Sequence, residues 1–340
     1  MPVGESLHRL SHDASTFMLR CVNRDADRAG YDFAMTIAYV THADCALHRM
    51  GEHHPEDPRR LGFVNDRLLT SGLGMAVLQY DAPEVTREQA LRAHDAGYFD
   101  WLCRAAPEEG LRWVDEDTAL GPNSLESILR AAGAAVLGVD LVMSGRASQA
   151  FCAVRPPGHH ATGSRAMGFC FLNNVAIGAR HALAVHGVER VAIADFDVHH
   201  GNGTEEIVAG DNRVLFLSTF EHPSYPFSGA AGSASNIVNV PLPAGTGSVA
   251  FRDAVRQHWL PALHGFAPEL VMVSAGFDGH QADIMAQFEL RDDDYAWVTS
   301  ELLGVARQHA RGRLVSCLEG GYHLHALARS VEAHLRALLD

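Results

Sequence analysis

Short apolar runs recur along the chain, separated by segments of helical spacing. The runs 36–40, 76–80, 149–154, 190–195, 213–218, 269–274 and 313–318 read as strands, each nearly continuous in apolar residues rather than alternating. Between them, apolar positions return three and four residues apart. A long helix opens at Pro122-Asn123-Ser124 and reaches Ser144, and a second runs from Asn173 to His186 and stops at Gly187. Further helices span Ser248 to His264, Asp292 to His309 and His323 to Leu339. Strands that alternate with helices and are apolar on both faces predict an α/β fold, a parallel sheet covered by helices on each side. No Pro/Ser/Gly-rich linker, low-complexity tract or internal repeat divides it. Residues 1–34 stand apart. They are polar and aperiodic, with Met35 just ahead of the first run, and read as an N-terminal extension, either disordered or a start codon assigned too early, before one domain over 35–340.

Composition narrows the function classes. With 340 residues, 47% hydrophobic and 20% charged, the chain can bury a full core. Its 27 basic against 41 acidic residues give −14, which argues against a nucleic-acid backbone or an anionic membrane as partner and suits a cationic substrate such as a lysine-rich peptide or a polyamine. The cysteines Cys21, Cys45, Cys103, Cys152, Cys170 and Cys317 show no C-x-x-C pairing, and three lie in apolar runs, the habit of reduced, buried thiols in a cytoplasmic protein. The best apolar stretch, Ala131 to Met143, is interrupted by Asp140 and too short to span a bilayer, and the N-terminus has no signal-peptide apolar region.

The chemistry gathers just after strand runs. In Ala194 to Gly203, residues 195, 197 and 199 project to one side of an extended chain, which makes Asp197 and His199 an O/N ligand pair with Asp195 behind them. Burying that much charge without a cation is unfavourable, so the segment reads as metal-binding. A catalytic zinc takes three protein ligands and leaves one position open, and Asp278 in Val273 to His280 is the natural third ligand. Two carboxylates and an imidazole suit other divalent ions as well. In favourable zinc sites the pKa of water falls from about 15.7 to roughly 7. The doublet His159-His160, on the stiff Pro156-Pro157-Gly158 turn, offers one imidazole to face that water and another to be held by a carboxylate, for which Asp195 is the expected partner. In Gly320-Gly321-Tyr322 a phenol stands where it can donate to a developing oxyanion. All four groups fall at carboxyl ends of strands, where open α/β sheets place their ligand crevice.

Five segments, taken in order, resemble the zinc-dependent histone deacetylase family, which includes the bacterial histone-deacetylase-like amidohydrolases and acetylpolyamine amidohydrolases. They are Arg155 to His160, Gly168 to Asn174, Asp195 to Gly203, Ser274 to Asp278 and Leu318 to Tyr322. The match runs from about residue 36 to the C-terminus, so 35–340 is expected to be a deacetylase catalytic domain. The resemblance implies an arginase-like α/β fold with a single, mostly parallel eight-stranded sheet flanked by helices on both faces. It implies one zinc per subunit on Asp197, His199 and Asp278, with His160 as general base and acid. His159, paired to Asp195, would act mainly electrostatically, and Tyr322 would polarise the acyl carbonyl. Asn202 stands where many class I members carry a second carboxylate. It, Arg155-Pro156-Pro157 and Leu318 to Gly321 favour the class II-like branch, and an Asn behind His160 should make that ring less basic.

The same resemblance implies potassium near the zinc, held by Asp195, Asp197, the His199 carbonyl, Ser218 and the Thr219 carbonyl, with a second, more distant ion around Asp211 and Val214. It implies a narrow acyl-lysine tunnel walled by Phe169 with Gly168, by Tyr225 opposite, and by Gly321. Arg59 matches an Arg near the acetate-release route, and Asp117 matches a rim Asp that grips substrate backbone amides. Met285 falls where polyamine-selective members can carry an acid, which leans away from a polyamine. His323 replaces the Asn common after the catalytic Tyr.

The sequence therefore predicts zinc-dependent hydrolysis of an N-acyl amide. An N-acyl-lysine peptide or protein is the first substrate class, with acylated small amines such as acetylpolyamines as the alternative. Two other readings stay open. One is a binuclear manganese ureohydrolase on Asp195, Asp197, His199, Asp278 and His280, which leaves Tyr322 without a role; the other is a non-catalytic acyl-lysine binder. No direct nucleic-acid or membrane partner is expected, and self-association as a homo-oligomer is left open.

Overall fold

The computed structural model describes residues 36–231 and 234–340, so the N-terminal extension of residues 1–34, with Cys21, lies outside the described residues. Eight strands form one sheet: β1 Ile37–Thr41, β2 Val77–Asp81, β3 Gln149–Cys152, β4 Val191–Asp195, β5 Val214–Glu221, β6 Ile237–Leu242, β7 Leu270–Ala275 and β8 Leu314–Leu318. Their spatial order is β2-β1-β3-β8-β7-β4-β5-β6. Every neighbouring pair is parallel, so the sheet is wholly rather than mostly parallel. Strands β3, β4, β7 and β8 are buried along their whole length, as near-continuous apolar runs require when helices cover both faces.

That order has a functional consequence. The four strands whose carboxyl ends carry the chemistry, β3, β8, β7 and β4, are consecutive neighbours at the centre of the sheet. Cross-strand pairs such as Cys317 with Cys152, Leu318 with Ala275 and Asp195 with Ser274 bring their ends level.

The expected helices form over Ser124–Met143, Asn174–Val185, Asp292–His309 and Leu324–Leu339. The segment expected as one helix from Ser248 to His264 is instead Ser248–Ala254, a π-helical turn Val255–Trp259, and Leu260–Phe266. Pro261, which has no N–H to give to the ladder, stands two residues past the turn. Strand β6 is not among the expected runs, since Asn239 and Pro241 interrupt its apolar residues; it is the sheet's edge, where a proline is tolerated. Four of the five described cysteines are buried and none is paired. Among the described residues no helix is long and apolar enough to cross a membrane.

Under the sheet, His334 sits between the Thr299 and Ser316 hydroxyls at 2.6 and 3.0 Å, and burial drives its pKa down to about 3. A histidine held neutral in the fold gives stability that is full above its unfolded pKa of about 6.5 and is lost as pH falls toward 3. The stability difference between the native chain and His334→Gln should therefore shrink by about 2 kcal/mol between pH 7.5 and 5.0. Denaturant unfolding of both proteins at each pH measures it, and a difference that does not change with pH would contradict the assignment.

Candidate active site

Asp197 and His199 leave the end of β4, and Asp278 leaves the end of β7. His199 Nδ1 lies 3.2 Å from Asp197 Oδ1 and 3.1 Å from Asp278 Oδ2, and one ligand atom from each of the three falls within 4.8 Å of the others. All three side chains are buried. Backbone donors aim the carboxylates: Gly320 N–H donates to Asp197 Oδ2 at 2.8 Å and Val198 N–H to Asp278 Oδ1 at 3.0 Å. A Cβ on Gly276 would stand 2.0 Å from Asp197 Oδ2, and one on Gly320 would stand 2.1 Å from Asp278 Oδ2. These two glycines let the backbone pass against the ligand oxygens.

The donor set fits a divalent cation. Burial and then the neighbouring Asp197 push Asp278 up to about 7, while Asp195 and Glu319 are buried close by. So much buried negative charge calls for a countercharge. Among the described residues a second trio, Asp140, His181 and His186, also has ligand spacing. There the Arg92 guanidinium donates to His181 Nδ1 at 2.5 Å, so His181 Nε2–H donates to Asp140 Oδ1, 2.8 Å away. That cluster is a closed hydrogen-bond network.

The two histidines differ by what lies behind them. His159 Nδ1 meets Asp195 Oδ2 at 3.0 Å, and its Nε2 is 3.8 Å from Asp197 Oδ1. Burial opposes charging this ring, but Asp195 and Asp197 outweigh it and push the pKa up to about 10. His160 Nδ1 meets the Asn202 amide oxygen at 2.8 Å. Burial, then His159 and His199, drive His160 well below the ordinary histidine range. With Nδ1–H donated to Asn202, the free lone pair is on Nε2. The rings are 4.0 Å apart.

Sequence reasoning gave Glu319 no part in this. Its Oε2 accepts from Gly158 N–H at 2.6 Å and His159 N–H at 3.1 Å, which clamps the turn that presents the doublet. Its place one residue ahead of Gly320-Gly321-Tyr322 was the available signal.

Tyr322 rests on a second buried base. Asp283 Oδ2 accepts from the Tyr322 and His323 N–H groups at 2.6 and 2.9 Å. Arg60 lies 5.0 Å from the phenol ring and donates to the Gly321 carbonyl at 2.7 Å and the Glu319 carbonyl at 2.5 Å. Glu56 holds both Arg60 and Arg155. Burial alone would raise Glu56, yet Arg155 and Arg60 outweigh it and hold it down at about 2. His323, whose replacement of Asn had no account in the sequence, caps the last helix by accepting from Ala326 N–H at 3.2 Å.

The expected walls come together. Phe169 packs edge-on against His54 at 4.6 Å and Tyr322 at 5.8 Å, and its N–H donates to Thr118 Oγ1. Tyr225 packs edge-on against His160 at 5.1 Å, and a Cβ on Gly168 would meet both residues. Met285, like Tyr322, packs against the cluster of Met50, Ala119 and Phe169. Asp117 lies in the turn that ends at Thr118, half-buried, and is raised to about 6 by burial and then by Asp115 and Glu116, against the Thr118 hydrogen bond.

Arg59, expected near an acetate-release route, has a side chain 70% exposed and paired with Asp57, on a cavity of about 280 Å³ that Tyr322 also lines. The buried guanidinium is its neighbour Arg60. Of the residues expected near potassium, Ser218 and Thr219 are buried on β5 beside Asp195. The Asp211 carboxylate is taken up by Arg180 and Arg213.

A histone deacetylase domain model matches residues 54–338. The chain is 40% identical over 276 residues to a histone deacetylase-like amidohydrolase of Pseudomonas aeruginosa, covering 79% of this chain and 71% of that one. It is 35% identical over 326 residues to the polyamine deacetylase HDAC10 of Homo sapiens, covering 90% of this chain and 48% of that one. The crystal structure of the HDA15 HD domain superimposes with a TM-score of 0.84 at 32% identity, covering 89% of this chain and 90% of that one.

Proposed function

The chain belongs to the histone deacetylase family of hydrolases, and from this membership we propose that it is a zinc-dependent deacylase of N-acyl-lysine side chains, with one zinc per chain on Asp197, His199 and Asp278. The observation that carries the reading is the convergence of Asp197, His199 and Asp278, one ligand atom of each within 4.8 Å of the others, with the His160 ring 6.1 Å from that of His199. When bound, the ion supplies Lewis acidity, polarising an amide carbonyl and bringing the ionisation of water near neutrality. His160 Nε2 takes the proton of the attacking water and returns it to the leaving amine nitrogen. His159, charged against Asp195, supports the negative charge that develops beside it. Burial and then Asp278 keep the Tyr322 phenol protonated well above its ordinary range, so its O–H donates to the acyl oxygen as charge builds there. Phe169, Tyr225 and Met285 give the acyl-lysine stem an apolar path to this centre.

Potassium at Asp195, Asp197, the His199 carbonyl, Ser218 and the Thr219 carbonyl belongs to the same reading. So does a cytoplasmic location, which the unpaired, buried Cys45, Cys152, Cys170 and Cys317 support. Similarity to the human polyamine deacetylase HDAC10 favours acetylated polyamines as a second substrate class, whereas the apolar Met285 at the rim offers an ammonium nothing. The deciding measurement compares rates on acetyl-lysine peptides, longer acyl-lysine peptides and acetylated polyamines before chelation, after it, and after zinc is restored. Turnover that is indifferent to chelation would overturn the metal-dependent reading.

Asn202→Asp tests the role of His160. A carboxylate at Nδ1 favours the protonated ring and raises its pKa. Because the base must be neutral, the acid limb of kcat/KM should move up by about one pH unit while the alkaline limb stays in place. An unmoved acid limb would remove His160 as the base.

A further inference from the structure

Beside the tunnel lies a cavity of about 580 Å³ that the chemistry above leaves unused, lined by Asp95, Tyr98, Trp101, Arg112, Trp113 and Arg165. The helix Ala96–Leu102 contributes Tyr98 and Trp101, stacked at 5.7 Å and 26°. Arg112 and Trp113 form one strand of a small hairpin, with the Arg112 guanidinium 5.7 Å over the Trp101 ring. Trp113 is 54% exposed, so core packing does not explain it. Among the described residues neither guanidinium has a carboxylate partner. Arg112 donates to the Ala105 carbonyl at 3.4 Å and Arg165 to Met167 Sδ at 2.8 Å. One Asp against two Arg leaves this cavity positive on a chain of net charge −14.

The cavity shares its walls with the tunnel. Met167, the acceptor for Arg165, also accepts from the Asn202 amide at 3.5 Å, and Asn202 holds His160. The turn of the hairpin carries Asp117 at the tunnel rim and Thr118, whose hydroxyl fixes Phe169. Arg165 and Gly168 are three residues apart, at most about 10 Å of chain. A polypeptide whose acyl-lysine fills the tunnel reaches the cavity with a residue two or three positions away. Paired guanidinium forks over an aromatic floor are the chemistry of carboxylate recognition, because the forks give directed donors and the rings exclude water.

The geometry points to a subsite here for the carboxylate side chain of an Asp or Glu flanking the acyl-lysine of a polypeptide substrate. This rests on the acyl-lysine reading of the tunnel and deepens it: the substrate is a polypeptide rather than a free polyamine, whose ammonium groups the two arginines repel.

The test uses acetyl-lysine peptides bearing Glu, Gln or Lys two and three residues away on both sides, with a capped single acetyl-lysine as reference. Rates are measured for the native chain and for Arg112→Gln/Arg165→Gln. In the native chain kcat/KM for the Glu peptides should exceed that for the Lys peptides by about tenfold, mainly through KM, and the advantage should weaken with salt. In the double variant that ratio should fall toward one while the capped substrate is turned over as before. An equal ratio in both proteins, no Glu preference in the native chain, or slowed turnover of the capped substrate would each overturn the subsite. Loss of hydrolysis on every substrate would instead defeat the acyl-lysine reading. In that case tryptophan fluorescence decides: saturable quenching by the Glu peptide, lost in the double variant, supports the subsite, and none in the native chain overturns it.

Discussion

Tyr322→Phe is expected to lower kcat by about 10²–10³-fold, and His160→Ala by about 10²–10⁴-fold, each with the metal content of the native chain. Phe keeps the ring contacts with Phe169 and the Arg60 guanidinium, and Asp283 still holds the backbone at 322, so only the hydroxyl is lost. A hydroxyl that donates only to developing charge contributes little to substrate binding, so KM should hardly move. His160 contributes nothing to the ligand trio; its ring is 6.1 Å from that of His199 and bonds to Asn202 instead. Removing it takes away the proton acceptor and leaves the ligands in place. The variants separate the rival readings as well. A binuclear ureohydrolase would tolerate Tyr322→Phe, and a non-catalytic binder would show no turnover to lose. Rates within tenfold of native for both variants, with metal retained, would take these two side chains out of the chemistry.

What the sequence made legible follows from locality. The motifs after β3, β4, β7 and β8 could be placed because each follows an apolar run directly, and one residue of register decides which side chains leave the strand end together. That those four strands are consecutive in the sheet is a property of topology, and nothing in the runs themselves encodes it. The base beneath Tyr322 was hidden for the same reason: Glu56 and Arg155 are 99 residues apart, and Arg60 reaches the Gly321 carbonyl across 261. Arg59 and Arg60 are told apart by helical phase. The helix Arg59–Ser71 buries Arg60, Leu61, Val64 and Leu68, a three-and-four spacing that puts Arg60 on the inner face and Arg59 outside. Charged and polar residues dilute the apolar stripe of that helix, so its inner face is faint in the sequence. The hairpin that carries Arg112 and Trp113 escaped too, since two-residue strands leave no period to detect.

Gly320→Ala is expected to abolish metal binding while the sheet stays folded. The added Cβ would lie 2.1 Å from Asp278 Oδ2 and 2.6 Å from Asp197 Oδ2, where about 3.4 Å is ordinary contact. Neither neighbour is the free end of a flexible chain. Asp197 is pinned by the Gly320 and His199 N–H groups, Asp278 by Val198 N–H, and both are buried. The backbone at 320 cannot withdraw either, because Arg60 grips the carbonyls on both sides of it. The clash is relieved only by turning a carboxylate away, which removes an oxygen from the set that would hold the ion. Gly276→Ala should do the same through Asp197 alone, with its Cβ 2.0 Å from Oδ2. The control is Gly304→Ala, an exposed position inside the helix Asp292–His309 where a Cβ meets nothing within 4 Å. There the substitution should add about 1 kcal/mol of stability through helix propensity and leave metal content unchanged. Elemental analysis of the three purified variants, with circular dichroism to verify the fold, reads the outcome. Full metal occupancy in a folded Gly320→Ala would show that the ion is held elsewhere than among Asp197, His199 and Asp278.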